Sequence, residues 1–204
     1  HKPNKVHEVM EASSAFICSR TLQSAGSKFY LWVGRLDSNK DPVTLVRAFI
    51  QFLTLQPDAQ LHLIFEGEEL LGNVKRIVTT SEVGLKKITL HGKVSHEELG
   101  HWYNQADFII STSHYEGSGI AVCEAMGCGC IPLVTNIPSF RMMTAEGRLG
   151  CLFEPGDVIG LTEALMKSTK LNVSSERVNV LRQFNDHLSF TAISKKILHA
   201  IGTT

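Results

Sequence analysis

The stretch that most limits what this chain can fold into runs from Asp107 to Thr135, DFIISTSHYEGSGIAVCEAMGCGCIPLVT. It opens on an apolar run, Phe108-Ile109-Ile110, that ends in small polar residues and reads as a buried strand arriving at a loop. Gly117-Ser118-Gly119 then supplies a turn, Ile120 to Met126 a helical pattern, and Ile131 to Val134 a second buried strand. Strand, glycine turn, helix and strand make a βαβ unit. At such a turn the N–H groups of the first helical residues point outward, and the helix dipole favours an anion. Glycines there let a ligand approach the backbone closely.

Two carboxylates frame the turn, Glu116 before it and Glu124 on the helix, with seven residues between them. Glu124 is expected about two turns into the helix, on a face shared with the turn above it. Taken alone, the pair reads better as a loop charge and a solvated helix residue than as a site.

The rest of the sequence repeats the alternation. Phe29 to Val33 is a central strand, ending at Gly34-Arg35-Leu36. Pro42 opens a helix carrying Val43, Val46, Phe49, Ile50 and Leu53 in phase. Leu61 to Phe65 is the next strand, ending at Glu66-Gly67-Glu68, and a helix is expected from Glu69 to Ser81. Ile88 to Leu90 is a strand that ends at Gly92, and Ser95 with Glu98 forms a capping box for a helix to Asn104. Beyond the central unit come a helix over 138–145, a short strand over 150–153, a helix capped by Asp157, and a mainly helical segment over 174–202. About six strands alternating with helices predict a doubly wound α/β domain, its parallel sheet covered by helices on both faces. Residues 28–204 are read as that domain. Residues 1–27 are read as a linker or boundary segment with one short helix or strand.

In an open α/β sheet, ligands sit beyond the carboxyl ends of the strands. Arg35, Lys40, Gly67, Glu116 and the turn at 117–119 are all expected at such ends. Arg35 offers a planar fork and Lys40 a point charge, so together they can neutralise a diphosphate without a metal. A pair of solvated loop charges is the plain alternative.

Bulk properties exclude more than they suggest. Lysine plus arginine equals aspartate plus glutamate, twenty each, so net charge points to neither nucleic acid nor a membrane surface. No apolar run approaches the ~18 residues of a membrane span, and no signal peptide is visible. The five cysteines, at 18, 123, 128, 130 and 151, fit small buried hydrophobes in a reducing, cytoplasmic setting. His96 and His101 lie five residues apart, one too many for a helical metal pair, and no metal site is expected. His114 either lines the pocket or faces water. Asn172-Val173-Ser174 matches a glycosylation sequon by pattern alone. A first residue of histidine leaves the chain either processed or a piece of something larger.

The segment S-x-x-E-G-x-G-x-x-x-x-E-A-M-x-x-G-x-x-x-V, joined to G-R-L-x-x-x-K, resembles the signature of the retaining group 1 glycosyltransferases of family 4. The likeness covers roughly residues 28–170. It implies the Rossmann-like, C-terminal donor-binding half of a GT-B fold, with the acceptor-binding N-terminal half absent. By that likeness Gly34, Arg35 and Lys40 meet the phosphates of a nucleotide diphosphate sugar, UDP- or GDP-linked, and Glu124 the ribose hydroxyls. Glu116 faces the sugar, and the amides of Gly117, Ser118, Gly119 and Ile120 contact sugar and phosphate. Gly67 lies at the second strand end, and Val94 in the loop whose backbone reads the base. Arg35, Lys40 and Glu116 are the expected catalytic residues. The implied activity is transfer of a sugar to an acceptor glycan, lipid or small molecule, with no cofactor beyond the donor. The expected location is cytoplasmic, at the inner membrane face if a longer protein associates there. A nucleotide-sugar epimerase and a non-catalytic nucleotide-sugar-binding module are the competing readings. Three positions depart from the family pattern: Ser118 in place of an aromatic, the acidic loop Glu66-Gly67-Glu68-Glu69, and Met142-Met143 near a position that is often acidic.

Overall fold

A computed structural model describes Phe16 and residues 28–200. Its elements are β1 (Phe29–Arg35), α1 (Pro42–Leu53), β2 (Gln60–Glu66), α2 (Leu71–Thr79), α3 (Glu82–Lys87), β3 (Ile88–Gly92), α4 (His96–Gln105) and β4 (Phe108–Ser111). They continue with α5 (Ile120–Gly127), β5 (Ile131–Thr135), α6 (Pro138–Met143), β6 (Cys151–Phe153), α7 (Val158–Ser168), α8 (Val173–Gln183), a π-helical turn (Phe184–Leu188) and α9 (Phe190–Ala200).

All strand pairings are parallel, in the order β3-β2-β1-β4-β5-β6. The order reverses between β1 and β4, which places the switch point, and hence a crevice, between their carboxyl ends. Helices cover both faces, with α1 packed against α2, α3 and α7, and α5 touching α4 and α8. Tyr30 lies at the centre of the core, stacked on Phe108 at 4.8 Å and edge-on to Phe49 and Phe52. Its hydroxyl meets Ser168 Oγ at 2.8 Å, so the one polar atom of a fully buried ring is satisfied.

Local chemistry explains where the elements begin. Asp41 caps α1, taking the Thr44 amide at 3.0 Å and the Thr44 hydroxyl at 2.6 Å, with Pro42 in the first turn. The Ser95–Glu98 capping box forms in both directions. Asn172 of the sequon spends its side-chain oxygen on the Ser175 amide at 3.1 Å, capping α8.

The expected helix over 69–81 is instead two. Helix α2 stops at Thr79, and Ser81 turns extended and caps the separate α3 through the Gly84 amide. The C-terminal helical segment is divided at Ser189, whose extended backbone closes the π turn and whose hydroxyl caps α9. The linker expected over 1–27, the short element expected within it and Cys18 lie outside the described residues, apart from Phe16.

Candidate functional site

Two loops meet at the switch point, one after β1 (36–41) and one after β4 (112–119). They are joined by backbone and side-chain hydrogen bonds. The His114 amide donates to Asn39 O at 2.8 Å, and Thr112 Oγ1 donates to Lys40 O at 2.7 Å. The Asn39 side chain reaches Tyr115 twice, giving to its carbonyl at 3.0 Å and taking from its amide at 3.1 Å. His114 completes the seam with Asp41, Nε2 to Oδ2 at 3.1 Å, so it neither lines the cleft nor merely faces water.

That frame fixes the charges. The Lys40 ammonium is bound directly to Glu116 Oε1, which also accepts from Ser113 Oγ at 2.7 Å. The two charged side chains are 22% and 14% exposed, screened from bulk solvent yet open on one side. Arg35 is the opposite case, 69% exposed, with only its Nε on Asp37 Oδ2 at 3.0 Å. Asp37 also orders the loop by accepting the Lys40 amide at 2.9 Å. Each cation expected at a phosphate therefore already has a carboxylate partner, which the local spacing gave no sign of.

Beside this pair lies a cleft of about 290 Å³, lined by Gly34, Arg35, Lys40, Val94, Leu99 and Ala121 among others. Apolar side chains of Val33, Ile64 and Phe65 form its floor, and an ion pair between Lys93 and Glu66, 2.7 Å apart, stands on its wall. Lys93 holds the Glu66 carboxyl below its usual range, and the Lys93 ammonium is raised in return. A hollow of about 410 Å³ opens at the opposite, amino ends of the strands between Lys28, Gln60 and Lys87. The carboxyl-end cleft is the one that the sheet's winding assigns to a ligand.

Of the residues expected at a donor site, Gly34, Arg35, Lys40 and Val94 line the cleft and Glu116 reaches it through Lys40. Gly67 follows β2 with φ of 83°, a conformation that suits glycine, and nothing stands over its Cα. Gly117 to Ile120 form the turn into α5, and the next residue, Ala121, lines the cleft itself. Gly119 cannot be otherwise. Its φ is 57°, and a Cβ there would fall 2.6 Å from the Phe140 ring.

Glu124 departs from the expected picture in one way: it is the fifth residue of α5, a little over one turn in rather than two. It is only 6% exposed, which sets aside the plain alternative of a solvated helix residue. Its Oε2 accepts the Tyr103 hydroxyl at 3.2 Å, and its Oε1 lies 3.6 Å from His96 Nε2. Burial raises its pKa, against the opposing pull of Tyr103 and His96. Sequence reading missed Tyr103, Ser113, Asn39 and Asp37 as parts of the site. Only Ser113 carried a signal, as one of the small polar residues ending β4.

His96 pairs with Glu124 and His101 with Gln105, and among the described residues no group of three or more His, Cys, Asp or Glu could hold a metal ion. Cys123, Cys128 and Cys130 are buried thiols outside any disulfide, as expected, and Cys151 is half-buried. No described helix is long and apolar enough to cross a membrane.

The family model for glycosyl transferases group 1 matches residues 19–182, about four-fifths of the chain. This chain belongs to the group 1 glycosyltransferases. Among curated relatives, it is 29% identical over 183 residues to a D-inositol 3-phosphate glycosyltransferase of Pseudarthrobacter chlorophenolicus, covering 86% of this chain and 43% of that one. It is 35% identical over 124 residues to a GDP-mannose:cellobiosyl-diphosphopolyprenol alpha-mannosyltransferase of Xanthomonas oryzae pv. oryzae, covering 60% of this chain and 32% of the relative. The chain thus spans less than half the length of these relatives. Among solved structures, sucrose-phosphate synthase from Thermosynechococcus elongatus matches with a TM-score of 0.78 at 20% identity, over 95% of this chain and 51% of that one. A second match, S. aureus TarM (a G117R mutant bound to fondaparinux, alpha-GlcNAc-glycerol and UDP), has a TM-score of 0.78 at 14% identity, over 97% of this chain and 40% of that one. The group 1 domain has the expected α/β fold, and its membership supports a transferase over the epimerase reading.

Proposed function

We propose that this domain binds the nucleotide diphosphate sugar for a retaining glycosyltransferase whose acceptor site lies in chain outside these 204 residues. The observation that carries it is the Lys40–Glu116 pair, formed between the two switch-point loops beside the cleft. A cation and a carboxylate held together there suit a phosphate and a sugar hydroxyl respectively, one ligand offering both.

In this reading the nucleoside lies in the apolar cleft, with the base against the Val94 backbone and the ribose toward Glu124. The diphosphate crosses the mouth, where Arg35 and Lys40 donate charge-assisted hydrogen bonds and the amides of Gly117 to Ile120 add to them. As the sugar–phosphate bond breaks, negative charge grows on the leaving diphosphate, and two fixed cations stabilise that charge more than they stabilise the bound donor. Glu116, released from Lys40 by the phosphate, accepts from the sugar. The sugar passes to an acceptor hydroxyl with its anomeric configuration kept.

The relatives' names support the donor class: one names GDP-mannose and one solved neighbour holds UDP. The acceptor, whether glycan, lipid or small molecule, belongs to the other part of the enzyme. Buried cysteines held as thiols support a reducing, cytoplasmic setting.

Calorimetry of the chain with UDP, GDP and the parent nucleosides, with and without EDTA, is the test. A diphosphate should bind much more tightly than its nucleoside, and chelation should leave its affinity unchanged. Equal affinity for diphosphate and nucleoside would remove the phosphate site from this loop pair. With an acceptor added, this domain alone should transfer no sugar.

A further inference from the structure

The hollow at the amino ends of the strands is larger than the carboxyl-end cleft, about 410 Å³ against 290 Å³, and the two share no lining residue. Lys28 stands just before β1, Gln60 opens β2, Lys87 ends α3, and Gln56 lies in the turn after α1. That turn is closed by its own backbone. The Gln56 amide donates to Phe52 O at 3.0 Å, the Ala59 amide to Gln56 O at 3.2 Å, and the Gln60 amide to Lys28 O at 3.1 Å. The side chains of Gln56 and Gln60 take no part, and among the described residues neither has a hydrogen-bond partner.

The charges here differ from those at the switch point. There each cation has a carboxylate partner, whereas among the described residues neither Lys28 nor Lys87 forms an ion pair. Lys28 is half-buried; its ammonium gives one hydrogen bond to Ser168 O at 2.8 Å and lies 5.6 Å from the Phe108 ring centroid. Burial lowers its pKa, against the weaker pull of Asp107. Asp107 is itself engaged, one oxygen by Arg177 at 3.2 Å and the other by the Phe29 amide at 3.0 Å. Asp58, the acid on the hollow's wall, is exposed. Two ammonium groups, one of them short of counter-charge, thus face one solvated carboxylate.

We propose that this hollow is a second ligand site, which binds a phosphomonoester through Lys28 and Lys87. Lysines act on phosphate oxygens as point charges, with spare N–H donors, and a dianion would supply the counter-charge that Lys28 lacks. The remaining volume suits the carbon part of an ester, whose hydroxyls the Gln56 and Gln60 amides can meet as donors and acceptors. The site does not depend on the donor reading.

The test is titration of the nitrogen-15-labelled chain with inorganic phosphate, glucose 1-phosphate and glucose, with and without UDP. Glucose 1-phosphate should shift the amides of Lys28, Gln60 and Lys87 saturably whether or not UDP is present, inorganic phosphate more weakly, and glucose not at all. Lys28→Met and Lys87→Met should each weaken the ester's binding about tenfold. Lys28→Met also loses the bond to Ser168, so Lys87→Met decides the matter if Lys28→Met proves unstable. Shifts confined to the switch-point loops, full affinity in Lys87→Met, or equal binding of uncharged glucose would overturn the proposal. Inorganic phosphate binding as tightly as the ester would overturn the part assigned to Gln56 and Gln60. Failure of UDP to bind would sink the donor reading and leave this one standing.

Discussion

Asn39 and Tyr115, 76 residues apart in sequence, hold each other by two reciprocal hydrogen bonds between one side chain and one peptide unit. The Asn39 amide nitrogen gives to the Tyr115 carbonyl, and the Asn39 oxygen takes from the Tyr115 amide, the fork that a neighbouring strand would otherwise supply. Lys40 and Glu116 are the next residues along in the two loops, so this clamp sets the distance between their charges. Asn39→Ala should lower diphosphate affinity severalfold by loosening the loops. Its cost in stability should stay near ~1 kcal/mol, because the site is partly exposed. Calorimetry alongside thermal unfolding separates the two. Equal loss in both would make the clamp a general support of the fold.

The cations and their carboxylates should respond in opposite directions. Arg35→Ala and Lys40→Ala each remove charge-assisted bonds worth ~1.5–3 kcal/mol, so diphosphate affinity should fall about tenfold or more while nucleoside affinity barely moves. Asp37→Asn keeps the oxygen that orders the Lys40 amide but removes the charge competing for Arg35. It should tighten diphosphate binding modestly, by about twofold, as expected for one exposed ion pair. A weaker Asp37→Asn variant would mean that the carboxylate positions Arg35 rather than occupying it.

Much of this is legible in the sequence alone. The βαβ unit, the Pro42 helix start and the Ser95–Glu98 box depend on neighbours within a few residues, so local pattern carries them. Helix α3 left no such trace: Val83 and Leu85 are exposed, and without an apolar face there is no phase to read. The site's pairings were hidden for a different reason, since Lys40–Glu116 and Tyr103–Glu124 join residues 76 and 21 apart. Spacing placed these groups near one strand edge without saying which touches which. The burial of Glu124 did have a signal. IAVCEAMG is apolar on nearly every side, the mark of a buried helix, and a lone charge within one must find a partner.

A histidine pair should make the fold sensitive to acid. His62 on β2 and His91 on β3 share a hydrogen bond, Nδ1 to Nε2 at 2.8 Å, with Phe29 stacked on His62 at 4.3 Å and Trp102 over both rings. Burial, and secondarily the neighbouring His91, pushes the His62 pKa from 6.5 down to about 4. A depressed histidine favours the folded state while neutral. This contribution is full above the unfolded value of 6.5 and is lost as pH falls toward about 4. Urea midpoints measured across this window should decline on acidification, and His62→Gln should flatten the decline. An unchanged slope in the variant would assign the acid sensitivity to other groups.

Gly119→Ala should damage the fold more than a single methyl group ordinarily does. The positive φ and the 2.6 Å approach to Phe140 act together, so a loss of ~1–3 kcal/mol is expected in chemical denaturation. Gly117→Ala, where an added Cβ meets nothing within 4 Å, is the control and should cost much less. Equal costs would mean that Phe140 moves aside freely.

The sheet is held together across its middle by only three aligned residues of β1 and β4: Tyr30 with Phe108, Leu31 with Ile109 and Trp32 with Ile110. Those strands lie 78 positions apart along the chain, whereas each half, β1 to β3 and β4 to β6, joins strands that follow one another directly. Closing the longer loop costs more chain entropy and gives no return until both halves exist, so the middle is expected to join last during folding. The two loops of the candidate site straddle that join. A newly made chain would therefore collapse into two partly ordered halves before it has a donor site, and a nucleotide bridging both loops would favour the completed sheet by mass action.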